Sequence, residues 1–175
     1  LCGGNSAATV AGVVTVKRME FASFPASRLA GHGPGAPLDG LTRAGWKLVY
    51  TDTPTDYIKG GEERSKSTDF SYSLGFAVRA DGGVSNVQWD GVGFRAGLAG
   101  NTTIVAVNNK VFKPEVLKAA VKASKDNKAP IELLVKKGNN LRTISLDYHG
   151  GARYPRLERI PGTPDRLGAI YKALK

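Results

Sequence analysis

The run Ser73-Leu74-Gly75-Phe76-Ala77-Val78 sets a small residue, an apolar residue and a Gly-Phe pair at the mouth of a strand. This pattern is expected to leave successive backbone N–H groups free, and amides aimed at one point form a nest for a carboxylate. Gly75 lets the backbone approach the anion, Phe76 lines an apolar pocket for the last side chain of a peptide, and the strand that follows offers an open edge to an extended chain. The plainer reading is an ordinary strand start with a bulge at Gly75. A second wall would come from Val116, Leu117 and Ala120, which fall within four residues on a predicted helix after Phe112; their other use is core packing.

Downstream stand Asp90-Gly91-Val92-Gly93-Phe94-Arg95-Ala96-Gly97-Leu98 and then Ile104-Val105-Ala106-Val107-Asn108-Asn109. With Leu74-Gly75-Phe76 in the place of a carboxylate-binding loop, the order resembles a PDZ domain in its bacterial arrangement. The resemblance implies an α+β fold: a PDZ-like, partly open β-barrel or sandwich of five to six strands with two helices, in the permuted bacterial order, plus irregular N- and C-terminal flanks. It also implies a peptide or protein C-terminus as partner, bound by Ser73, Leu74, Gly75, Phe76, Ala77, Val78, Val116, Leu117 and Ala120. The helix carries no His, so the imidazole that some PDZ domains use to select a ligand Ser or Thr is missing, and apolar C-terminal side chains are expected. Lys118, Lys122 and Lys125 form a solvated stripe that adds salt-screened attraction to acidic peptides. Two states of the groove remain open: free for a ligand, or occupied in cis by the strand at Trp46 or the loop from Lys59.

The elements that must hold these residues follow from punctuation and period. Residues 10–16 are a β-branched run that suits a strand or connector, and the Gly- and Pro-rich stretch 30–40 marks an irregular boundary. Residues 41–44 make a helical turn closed by Gly45, residues 46–51 alternate as a half-buried strand, and residues 59–69 read as a mobile loop. Residues 70–79 form a strand holding the nest, Asp81-Gly82-Gly83 turns the chain, and residues 84–89 return. A short helix at 94–98, a buried strand at 104–107 and a turn at Asn108-Asn109 follow. Pro114 opens the helix, and 131–137 with 141–148 make a hairpin. The chain thus divides into a connector at 1–40, a flanking strand and loop at 41–69, the PDZ-like domain at 70–149 and a basic tail at 150–175 that is extended by its prolines, with a terminal helix from Asp165.

Other chemistries find little support. With 25 Lys and Arg against 15 Asp and Glu, the +10 balance favours anionic partners, but no aromatic and basic stretch suits nucleic acid. No run approaches bilayer-spanning length. The single Cys2 excludes an internal disulfide, and Leu1-Cys2-Gly3-Gly4-Asn5 reads as an arbitrary or processed start rather than a mature lipoprotein end. Gly91-Val92-Gly93 departs from a dinucleotide fingerprint because the third Gly falls one residue late. His32 and His149 are far apart and no His-Glu-x-x-His occurs, so no zinc-peptidase helix exists here; spacing alone leaves a Ser-His-Asp set using either His open, while His149 reads as a turn residue.

The flanks are more specific. Pro34-Gly35-Ala36-Pro37-Leu38-Asp39-Gly40-Leu41, Gly45-Trp46-Lys47-Leu48-Val49-Tyr50-Thr51-Asp52, Tyr148-His149-Gly150-Gly151 and the stretch from Tyr154-Pro155-Arg156-Leu157 to Pro164-Asp165 resemble the C-terminal part of bacterial glycyl aminopeptidases, over roughly residues 33–175. That family consists of thermolysin-like zinc metallopeptidases with a C-terminal PDZ domain. The resemblance implies a parent that removes N-terminal Gly or Ala, with zinc in a catalytic domain outside this chain, and a bacterial periplasmic or envelope location. It assigns no catalytic residue and no cofactor to this sequence. Residues 1–30 do not match. The function expected is a peptide-binding accessory domain, with a structural or dimerisation module, its groove filled in cis, as the alternative.

Overall fold

The computed structural model describes residues 38–172, within which a four-stranded antiparallel sheet carries most of the core. The expected strand at 10–16, Cys2 and the stretch around His32 lie outside the described residues. In chain order the elements are α1 (Asp39–Arg43), β1 (Trp46–Thr51), α2 (Asp56–Ser65), β2 (Ser67–Asp69), β3 (Ala77–Arg79), β4 (Val84–Ser85), α3 (Val92–Arg95), β5 (Thr103–Val107), β6 (Lys110–Val111), α4 (Pro114–Ala123), β7 (Ile131–Lys137), β8 (Asn140–Leu146), β9 (Tyr154–Arg159) and α5 (Arg166–Ile170).

Period-two patterning builds the main sheet, ordered β6-β5-β7-β8. Ile131, Leu133 and Val135 of β7 are buried, and Ile144 and Leu146 of β8 join them. On β5 the buried pair is Ile104 and Val107, an odd spacing that a regular strand cannot present to one face. The register shift between Ile104 and Ala106 supplies the extra residue. Asn108 and Asn109 then turn the chain with φ of 45° and 63°, a region Asn tolerates better than most residues. Helix α4 has Pro at its start and buries Leu117 and Val121 against the sheet.

A three-stranded sheet, β2-β3-β4, packs Val78 and Val84 into the same core. The third sheet is the ribbon β1-β9, in which Trp46 faces Arg159 and Thr51 faces Tyr154. Pro155 is tolerated in β9 because, among the described residues, β9 has a strand on one side only. Trp46 Nε1 donates to Asp165 Oδ1 at 3.0 Å, and Asp165 also caps α5 by accepting from Gly168 N.

The fold is mixed α+β, but the described residues hold nine strands and five helices in three sheets with no closed barrel, rather than five to six strands and two helices. Residues 59–69 are not a loop: Thr55 Oγ1 caps α2 by accepting from Ile58 N, Lys66 ends it at φ 49°, and β2 follows. Residues 70–76 are a turn, so the regular strand covers only 77–79, and its return covers only 84–85. The described part of the C-terminal flank is not irregular, since β9 pairs with the Trp46 strand.

Gly45 fixes the entry to β1 at φ 82°, where a Cβ would meet Pro164 O, Arg159 Nη1 and Thr163 Oγ1. Arg159 donates to Gly45 O at 2.6 Å and to Thr163 O at 2.7 Å in the same corner. Gly45→Ala is therefore expected to destabilise the protein by about 2 kcal/mol, measured as a lower urea midpoint at unchanged slope. An unchanged midpoint would contradict this account of the corner.

Candidate functional site

The turn at 70–76 is built around one carbonyl. Phe70 C=O accepts from Ser73 N (3.0 Å), Leu74 N (2.8 Å) and Gly75 N (3.0 Å), while Phe70 N donates to Phe76 O at 2.9 Å. Gly75 sits at φ 80°, and its Cα lies against Gly91, where a Cβ would come within 3.0 Å of the Gly91 Cα. The amides of Ser73, Leu74 and Gly75 are thus engaged, whereas the spacing led one to expect them free. Three successive amides converge on one acceptor, and that acceptor is the chain's own Phe70 carbonyl.

The neighbouring strand edge is also taken. β3 pairs with β4 on one side, through Ala77–Ser85 and Val78–Val84, and with β2 on the other, through Thr68–Val78 and Asp69–Ala77. Strand β2 is held from behind by Glu62 of α2, whose Oε1 accepts from Asp69 N at 2.9 Å and whose Oε2 meets Lys118 Nζ of α4 at 2.9 Å. The Glu62 side chain is only 14% exposed, so this carboxylate is a clamp between three elements rather than a surface charge.

Helix α4 presents different residues to its two flanks. With Leu117 and Val121 facing the core, a turn of about 100° per residue sends Lys118 to one side and Val116 to the other. Lys118 meets Glu62. Val116 and Ala120, with Ala119, line an apolar cleft of about 430 Å³ against Val107, Asn108 and Lys110. The structure therefore gathers Leu74, Phe76, Val78 and Leu117 into one buried core, leaves Ala77 buried within β3, and sets Val116 and Ala120 on the flank away from β2. Glu62 and Lys118 were missed: the first sat in a presumed loop, the second in a presumed solvated stripe. The one available signal was Thr55-Asp56, a capping pair that announces a helix long enough to reach Glu62.

A C-terminal segment covers the turn from outside. Ser73 Oγ accepts from Arg153 N at 3.2 Å, the Arg153 guanidinium lies 4.4 Å over the Tyr50 ring, and Tyr50 packs on Tyr72 at 6.0 Å. Tyr148 OH donates to Gly151 O at 2.7 Å, and burial raises its pKa against a lowering hydrogen bond with Ser73. Burial likewise raises Tyr154, which lies beside Lys118, Glu62 and Asp69. His149 lies in the irregular segment that follows β8: its Nδ1 faces Asn127 O and its Nε2 faces Asp147 Oδ1, both at 2.9 Å. Among the described residues no group of three or more His, Cys, Asp or Glu could hold a metal, and no helix is long and apolar enough to cross a membrane.

No protein-family model matches the chain, and no curated protein matches it. Among solved structures, an aminopeptidase N family protein from Idiomarina loihiensis is similar over 97% of this chain at 14% identity, with a TM-score of 0.55. This chain spans 29% of that protein's length, and the likeness is one of fold. A PDZ domain of HtrA3, solved with the phage-derived ligand FGRWV, aligns with 74% of this chain and all of its own length at 18% identity and a TM-score of 0.33.

The hydrogen bond to Asn127 O, helped by the one to Asp147, raises the His149 pKa. Its folded pKa lies above the unfolded one, so its contribution is full below about pH 6.5 and is lost as pH rises through the folded value. His149→Gln is expected to remove that part of the stability-versus-pH curve, read by thermal melts between mildly acidic and mildly alkaline pH. A curve identical to that of the unsubstituted protein would refute the assignment.

Proposed function

We propose that this chain is a non-catalytic accessory module on a PDZ-like frame, carried by a larger peptidase-type protein, with its peptide-receiving edge occupied by its own residues 67–70. One observation carries the reading: β3 has β2 on one edge and β4 on the other, so no further strand can be added there without displacing one of them. The PDZ-like frame is supported by the order of the motifs, a Leu74-Gly75-Phe76 turn with Gly75 at positive φ, the short helix at Val92–Arg95 and the helix that opens at Pro114.

The peptidase association is supported by the fold likeness to part of an aminopeptidase N family protein and by the resemblance of residues 34–52 and 148–165 to glycyl aminopeptidases. On this reading zinc and catalysis belong to the parent's catalytic domain, in a bacterial periplasm or envelope, and this module contributes position and shape.

A second reading keeps an open receptor, in which Ser73 to Val78 grip a terminal carboxylate and Val116, Leu117 and Ala120 face the ligand. The donors at Leu74 and Gly75, both committed to Phe70 O, favour the occupied form.

Titration of the isotope-labelled chain with peptides that end in free carboxylates separates the two. The occupied form predicts that the amide signals of residues 74–78 and 114–124 stay unmoved at millimolar peptide. Saturable shifts there, with the β2–β3 pairing intact, would overturn it. Zinc added to the same sample is expected to bring no hydrolysis of Gly-peptides.

A further inference from the structure

The sequence sets Lys118, Lys122 and Lys125 in one stripe, and the structure divides it. Lys118 closes on Glu62, whereas Lys122 and Lys125 border a polar cavity of about 470 Å³ between the end of β1, the turn after α4 and residues 150–153. Arg153 completes the basic side, and Asp52 and Asp126 stand on the same lining. Among the described residues no ion pair joins any of these charges to another. Opposite charges that share a cavity and yet stay apart leave a gap for something that carries both signs.

The lining is held by packing and hydrogen bonds rather than by its own charges. Gly151 is buried at φ 68°, and a Cβ there would lie 3.1 Å from the Lys125 Cβ and 3.5 Å from its Cδ, so the Lys125 stem rests on that backbone. Gly151 N donates to Ser124 Oγ at 3.3 Å and Gly151 O accepts from Tyr148 OH at 2.7 Å, which fixes this strip to the end of α4. The Arg153 guanidinium lies 4.4 Å over the Tyr50 ring, and a stacked guanidinium keeps its N–H edges for an acceptor. On the acidic side, Asp52 Oδ1 accepts from Thr53 Oγ1 at 3.1 Å.

We infer that this cavity is a binding site for a free acidic α-amino acid such as glutamate. Three cations face two carboxylates across it, a surplus of one positive charge, and an acidic amino acid carries the complement: two carboxylates and one ammonium. Its carboxylates meet Lys122, Lys125 and Arg153, and its ammonium meets Asp52 and Asp126. The volume falls in the range of small-ligand sites, about 300–1,000 Å³, and the charged lining selects a polar occupant over an apolar one. Each exposed charge pair contributes little, so a dissociation constant in the millimolar range is expected. The site lies apart from the β3 edge and does not depend on whether that edge is occupied.

The test is a titration of the full isotope-labelled chain with glutamate at constant ionic strength, read from the backbone amide signals of residues 150–153. Saturable shifts are expected there at millimolar glutamate, while the Leu133 and Val135 amides stay in place and report an intact core. Glutarate, which keeps both carboxylates and lacks the ammonium, is expected to bind the unsubstituted chain about fivefold more weakly. Lys125→Met keeps most of the stem without the charge and is expected to weaken glutamate about fivefold. Asp126→Asn is expected to weaken glutamate by a similar factor and to leave glutarate undiminished. Equal binding of glutamate, glutarate and inorganic phosphate would reduce the cavity to an unselective anion patch and overturn the inference. The absence of saturable shifts at residues 150–153 would overturn it outright.

Discussion

A β-strand offers two hydrogen-bonding edges, and both edges of β3 are in use. The rest of the arrangement depends on that limit. The frame that could receive a peptide, a glycine turn leading into a strand beside a helix, is intact in its backbone. Its donors are committed within the chain: three amides to Phe70 C=O, and one strand edge to residues 67–69. A filled groove exchanges bonds to water for intrachain bonds, a net gain of about 1 kcal/mol each. Here the filling is covalently attached, which removes the translational cost that a separate ligand must meet.

The attachment is balanced rather than rigid. Helix α2 carries Gly60 and Gly61 in its interior, and each glycine disfavours the helix by about 1 kcal/mol relative to alanine. Against this stand the Thr55 cap, worth about 1 kcal/mol, and the Glu62 clamp. Lys118 is more than a third exposed, so solvent discounts its ion pair, and the two bonds to Glu62 together supply on the order of 1–2 kcal/mol. These opposing contributions are of similar size. Segment 56–69 therefore belongs to the less stable part of the fold, while β7, with Leu133 and Val135 fully buried, belongs to the most stable.

Much of this was legible from local signals. Pro114 and the apolar spacing behind it gave α4, the turn of Gly138-Asn139-Asn140 gave the β7–β8 hairpin, and Asn108-Asn109 gave a positive-φ turn. Gly75 was singled out from the sequence as a position needing no side chain, for the approach of an anion; the close neighbour is in fact the Gly91 backbone. What escaped was set at long range. Residues 59–69 are polar and glycine-bearing, so beyond the Thr55-Asp56 cap ahead of them nothing local marks them as helix and strand; Lys118, 56 positions away from Glu62, and the β3 edge supply that order. The ribbon of β1 with β9 joins segments more than a hundred residues apart, and no periodicity within either reveals the other. The two flanks of α4 were out of reach for a related reason: spacing shows that Val116, Leu117 and Ala120 are near one another, but which flank meets β2 depends on how the helix lies on the sheet.

Amide hydrogen exchange resolved at single residues reaches the central claim most directly, because it asks whether the receiving donors are already spent. The account predicts slow exchange at Asp69, Phe70, Leu74 and Gly75 in the unsubstituted chain, and concerted acceleration of all four when Glu62 is replaced by Gln. Rapid exchange at Leu74 and Gly75 while the amides of Leu133 and Val135 remain protected would show an unfilled nest and contradict it.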